Sequence, residues 1–144
     1  MSRRLALALL AALPLTMPAC AAEKPPQDRQ TMPFETGRLD IAGEVFAPSE
    51  VLDARALPDV NGKVGIMLTL TPAGARRLET ISGSLVGKPM LVALDGKTLA
   101  AELIRKPLVD GVVEIPGRWN LTEGEALARR ISGRDPLPDD LGAE

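Results

Sequence analysis

A chain of 144 residues, 45% apolar but only 2% aromatic, is long enough for one domain whose core must be built from Leu, Val, Ile, Ala and Met. It holds no histidine, no tyrosine and one cysteine, so His/Cys zinc sites, Ser-His-Asp triads, Cys-His dyads and intramolecular disulfides are excluded by composition. The formal net charge is −2; without the first 21 residues, which carry Arg3 and Arg4 and no acid, 15 of the 17 basic residues face 19 acidic ones. A mildly acidic domain does not offer the basic face that nucleic-acid binding needs, so no nucleic-acid partner is expected.

Met1–Ala22 has the layout of a secretory signal. Arg3 and Arg4 form its positive start, and Leu5–Leu15 its apolar stretch. Pro14 and Pro18 break that stretch before the small residues Ala19, Cys20, Ala21 and Ala22. The apolar run is too short for a permanent membrane helix. Two exits compete. Ala19-Cys20-Ala21 is an A-x-A site, which makes residues 1–21 the signal peptide and Ala22 the mature start. Met17-Pro18-Ala19-Cys20 is a weak lipobox, which makes Cys20 a candidate lipidation site and gives a membrane contact only in that form. Met and Pro are both unusual there, so the soluble form is favoured. Either way the expected location is outside the cytoplasm, periplasmic or secreted. Residues 22–36 hold Pro25, Pro26 and Pro33 among polar residues and read as a flexible linker.

The folded part is expected over residues 37–134. Leu39–Phe46 alternates and predicts a strand. Ala47–Leu52 predicts a turn or one helical turn, with Pro48 stopping the preceding strand and Ser49 a candidate cap. Asp59-Val60-Asn61-Gly62 marks a turn between an extended stretch at Asp53–Leu57 and a strand at Val64–Leu70, together a hairpin. Thr71-Pro72 opens a helix with a side-chain cap and a proline at its first position. Ala75, Leu78, Ile81 (or Ser82) and Leu85 make its apolar stripe, and Gly87 ends it. Met90–Leu94 is apolar throughout and predicts a central strand covered on both faces. Asp95-Gly96 is a two-residue hairpin turn, and Thr98–Ile104 returns. Val112–Ile115 is the last strand. Asn120 with Glu123, or Thr122 with Glu125, caps a final helix ending at Gly133. Residues 135–144 form an acidic, proline-containing tail, expected to fray. The order predicts an α+β fold: a small, mostly antiparallel sheet with two helices packed on one face.

Four motifs occur in order: Leu68–Leu78 (LTLTPAGARRL), Val86–Pro89 (VGKP), Val92–Lys97 (VALDGK) and Ile115–Trp119 (IPGRW). Together they resemble the head subdomain of the first periplasmic domain of SecD, the translocon accessory protein, over about residues 44–133. The resemblance implies a small α+β unit and a binding tendency toward polypeptide or envelope proteins. It favours Asn120 as the helix cap. This chain departs from the family at Ala100-Ala101-Glu102, at Trp119 where a Phe is usual, and at Gly124 where the family has Ala. Export-motor activity does not carry over, because it belongs to membrane helices that the resemblance does not cover.

Candidate sites are few. No catalytic, cofactor-binding or metal site is expected. Asp95, Gly96 and Lys97 read as turn chemistry. Trp119 is a candidate contact for a peptide, weighed against the commoner role of a core plug. Glu102 and Glu114 are candidate paired carboxylates across adjacent strands, but strand alternation does not fix their distance and a hydrolase reading from them is weak. Asp139, Asp140 and Glu144 lack the loop geometry of a calcium site. The expected function is therefore an exported, non-catalytic binding domain. Alternatives are a structural envelope lipoprotein or, less favoured, an enzyme-associated subunit.

Overall fold

The computed structural model describes residues 34–139. Leu39–Phe46 does not form the one strand that its alternation predicts. It is a hairpin of β1 (Leu39–Ile41) and β2 (Glu44–Phe46). The reversal sits at Ala42 (φ 54) and Gly43 (φ 83), both in the left-handed region that a tight two-residue hairpin turn requires. Alanine rarely takes that conformation, which is why the turn carries no sequence signal. A 3-10 turn at Pro48–Glu50 follows, capped by the Glu50 carboxylate accepting from the Ala47 N–H (2.9 Å) rather than by Ser49.

The hairpin of β3 (Val51–Pro58) and β4 (Val64–Leu70) forms as expected. Helix α1 (Pro72–Ser84) starts at Thr71, whose hydroxyl accepts from the Gly74 N–H. Its buried line runs Gly74, Leu78, Ser82, with Ile81 and Leu85 half-buried beside it. Gly74 belongs to that line because a Cβ there would lie 3.0 Å from the Glu50 carbonyl oxygen: the helix backs directly onto the 3-10 turn.

Strands β5 (Pro89–Leu94) and β6 (Lys97–Leu103) flank the Asp95-Gly96 turn, where both residues have positive φ. β5 is central, but only one of its faces is covered. Met90, Val92 and Leu94 are buried, while Leu91 is 49% exposed on the other side. β7 runs from Val112 to Trp119, longer than expected, and α2 spans Leu121–Ser132. Asn120 caps α2: its side chain accepts from the Glu123 N–H (2.9 Å) and the Glu123 carboxylate accepts from the Asn120 N–H (3.1 Å). Gly133 closes the helix at φ 73.

The fold is α+β with antiparallel strands and two helices, and the strands divide between two sheets. One has the order β2-β1-β5-β6, the other β3-β4-β7. Alternate residues of the second sheet (Ala54, Ile66, Leu68, Val113, Ile115) join Leu39, Ile41, Met90, Val92 and Leu94 of the first in one core. Leu78 of α1 and Ala128 and Ile131 of α2 complete it. α2 packs on β3 and β4. The described part of the tail is tied down rather than frayed: the Leu137 N–H donates to the Asp53 carboxylate (2.9 Å).

Candidate functional site

A well-formed open cleft of about 770 Å³ lies among the described residues. It runs from Leu57, Gly65 and Met67, across β7, to the end of β6 and the loop after it. Its lining mixes apolar side chains (Leu57, Met67, Leu103, Leu108, Val112) with Asp59, Glu102, Asp110 and Glu114 on one side of the charge balance and Arg105 and Lys106 on the other. Glu102 and Glu114 both line it, but they sit on β6 and β7 of different sheets rather than on adjacent paired strands as expected.

Two loops frame the cleft, and both are held in shape by their own hydrogen bonds. In the β3–β4 loop the Asp59 carboxylate accepts from the N–H groups of Asn61 and Lys63, each at 2.8 Å, and Gly62 takes φ 74. In the β6–β7 loop the Leu108 N–H donates to the Ser82 hydroxyl (2.9 Å), and the Gly111 carbonyl accepts from the Leu70 N–H (2.8 Å). Exposed apolar side chains follow: Val60 at 100% and Val109 at 68% on the loops, Leu57 at 45% and Leu103 at 53% on the strands. Val60 is next to the lining residue Asp59, and Val109 sits between Leu108 and Asp110.

Backbone hydrogen-bonding capacity lies beside the rim. β6 pairs with β5 on one side only. The Leu91 carbonyl accepts from the Ala42 N–H (2.7 Å), so it points toward β1. Its cross-strand neighbour Ala101, and Leu103 two residues on, therefore turn their N–H and C=O groups to the outer edge of β6. At the other end of that edge the Leu99 carbonyl is already taken by the Arg118 guanidinium, which reaches across from β7. The gap between the sheets is thus latched near Leu99 and open near Leu103.

Other edges carry arginine caps too. Arg77 donates to the Val45 carbonyl on β2 (3.3 Å) while pairing with Glu44 and Glu50 and lying 4.4 Å over the Phe46 ring. Burial pushes the Glu50 carboxyl up, but hydrogen bonds from Arg77 and the Ala47 N–H, with the Arg77 charge, together hold it below the usual carboxylate range. Arg134 donates to the Val51 and Leu52 carbonyls on β3. These caps are long-range contacts that no local sequence pattern announces.

Of the residues singled out from sequence, Trp119 ends β7 opposite Val64 and is half-buried against the core, two positions past the lining residue Gly117. Asp95 works beyond its turn: the Arg38 N–H donates to it (2.9 Å), and so does Arg130 of α2 (2.9 Å). Those contacts hold its carboxyl below the usual range. Asp139 pairs with Arg55. Cys20, Asp140 and Glu144 lie outside the described residues. Among the described residues no group of three or more His, Cys, Asp and Glu could hold a metal ion, and no helix is long and apolar enough to cross a membrane.

Comparison with known proteins gives a consistent picture. The model of the SecDF P1 head subdomain matches residues 35–133. The protein translocase subunit SecDF of Thermus thermophilus is 31% identical over 100 residues, which cover 69% of this chain and 14% of that protein. The translocase subunit SecD of Dictyoglomus turgidum is 29% identical over 105 residues, or 72% of this chain and 25% of that protein. The chain thus spans a quarter or less of these two relatives. A solved structure of SecDF, a membrane component that enhances protein export, superposes with a TM-score of 0.56 at 27% identity, covering 63% of this chain and 43% of that one. A SecDF structure in a super-membrane-facing form gives 0.57 at 29% identity, covering 62% and 12%. The family match spans more than half of the sequence and agrees with the fold, so the chain belongs to the SecDF P1 head subdomain family.

Proposed function

We propose that this domain is an exported polypeptide-binding module that acts by holding an extended segment rather than by catalysis. One observation carries the reading: a preshaped, apolar-rimmed cleft runs alongside the open edge of β6. An extended peptide there would meet backbone groups of Ala101 and Leu103 and pockets for alternate side chains, the two components of strand addition. The matched relatives are named as translocase subunits, which supports a polypeptide ligand over a small substrate. Trp119 is the proposed reporter and outer contact of the same region.

The test is fluorescence anisotropy with labelled, unstructured peptides rich in alternating apolar residues, using the mature chain. Binding is expected, with a loss of at least tenfold in Leu57→Asp and in Leu103→Asp. Both side chains are exposed, so the fold should survive. Absence of binding by the wild type, or wild-type affinity in both variants, refutes the reading. Export is tested separately by intact mass. A soluble chain starting at Ala22 means a free domain; a chain starting at Cys20 with acyl mass means a membrane-tethered one.

A further inference from the structure

The first half of β3, Val51–Arg55, is engaged by the chain itself. Beyond α2, residues 134–139 turn back along it. The Arg134 guanidinium donates to the Val51 and Leu52 carbonyls, the second at 3.0 Å. Asp53 is the one charged residue among the described that is buried, 6% exposed, and its carboxylate accepts from the Leu137 N–H (2.9 Å) and from Arg55 Nε (2.7 Å). Arg55 in turn donates to the Leu137 carbonyl (3.1 Å) and to Asp139. A backbone N–H and a backbone C=O of Leu137 are therefore both engaged by β3 side chains, as a neighbouring strand would be engaged by β3 itself.

We infer that residues 134–139 are an edge guard, closing β3 against strand addition by a second copy of this chain. An uncovered edge offers a row of unpaired N–H and C=O groups to any other edge, and proteins block such edges with charge, proline or a covering segment. This segment uses all three: Arg134, Pro136 with Pro138, and the loop path itself. β2 is short and capped by Arg77, and the start of β6 is capped by Arg118. β3 and β7 are the two eight-residue edges of the second sheet, and β3 is the one along whose start this segment runs. The inference does not depend on the cleft binding peptide.

Two variants release the guard in different ways. Leu137→Pro deletes the N–H that Asp53 accepts, together with the leucine side chain, and leaves the residues of β3 unchanged. Arg55→Ala with Arg134→Ala removes the side chains that hold the segment. Sedimentation velocity over a hundredfold concentration range reads the result, with circular dichroism confirming the fold. A monomeric wild type and self-association at concentrations at least tenfold lower in both variants are expected. Adding Leu52→Lys, which puts a charge on the bared edge, should restore the monomer. Folded variants as monomeric as the wild type, or association that Leu52→Lys leaves unchanged, would overturn the inference.

Discussion

Gly124 stands in the middle of the first half of α2, where alanine is the ordinary helix former. The substitution Gly124→Ala sets two effects against each other. Helix propensity alone favours alanine by about 1 kcal/mol. Against it, the new Cβ would lie 2.6 Å from Cγ1 of Val64 and 3.3 Å from Cβ of Ala56. Neither neighbour yields easily. Val64 is buried at 2% and is β-branched, so its side chain has few alternatives, and the Ala56 Cβ has no rotamer to change. Either α2 lifts from the β3–β4 pair or Val64 leaves its well, an overpacking cost of about 1–3 kcal/mol. The expected net effect is a loss of about 0–2 kcal/mol, or a fall in Tm of up to roughly 10 °C for a domain of this size. Thermal unfolding followed by circular dichroism measures it. Val64→Ala should destabilise alone, but the double variant should be better than additive by about 1 kcal/mol, because the missing methyl makes the room that the new one needs. A Tm that rises in Gly124→Ala, or strict additivity in the cycle, would refute the close-packing argument.

Loss of the α2 capping box in Asn120→Ala should cost about 1 kcal/mol, because the Glu123 N–H loses its acceptor in a helix of only twelve residues; urea denaturation checks it, and Asn120→Asp should retain most of the stability. Glu50 and Asp95 both have folded-state pKa values below their ordinary ones, so each contributes stability that is fully present above the unfolded pKa. That contribution is lost as pH falls from roughly 4.3 toward the folded values, so urea midpoints should decline below about pH 4.5 and hold steady from there to neutrality. The decline should shrink in Arg77→Gln, whose guanidinium no longer favours the charged Glu50; an unchanged acid limb would show that other carboxylates dominate.

What was legible in the sequence is what is decided within a few residues. The Asn120–Glu123 box, the Gly133 stop, the Thr71-Pro72 start and the Asp95-Gly96 turn each need only local chemistry, and each is where it was expected. The Ala42-Gly43 turn was not legible, since alanine at φ 54 is held there by the pairing of β1 with both β2 and β5. Strand alternation reports which side chains share a face, not which strand lies alongside, so the division into two sheets was beyond it. Gly74 and Gly124 are poor helix formers by propensity, but both are points of close approach to partners far away in sequence. The cleft has the same character: Leu57, Met67, Leu103 and Val112 meet only because β7 returns to pair with β4 after the β5–β6 hairpin. The tail read as loose because its partners, Asp53 and Arg55, lie more than eighty positions earlier.

The juxtaposition of apolar rim and open strand edge allows the two halves of the binding proposal to be separated. Side-chain burial in the cleft would tolerate changes to the peptide backbone, whereas pairing with β6 would not. Along an antiparallel strand alternate residues point their N–H groups to opposite sides, so only every second amide of a bound peptide can face Ala101 and Leu103. Two peptides of one sequence, N-methylated on the odd or on the even residues, therefore differ in a single respect once bound. The set whose methyl groups face β6 should bind at least tenfold more weakly, since each lost backbone bond also buries an unpaired carbonyl on the edge. The other set should stay close to the unmodified peptide. If both sets weaken equally, the ligand is not aligned with β6. If neither weakens, the rim alone holds it, and the Ala101–Leu103 edge needs another explanation.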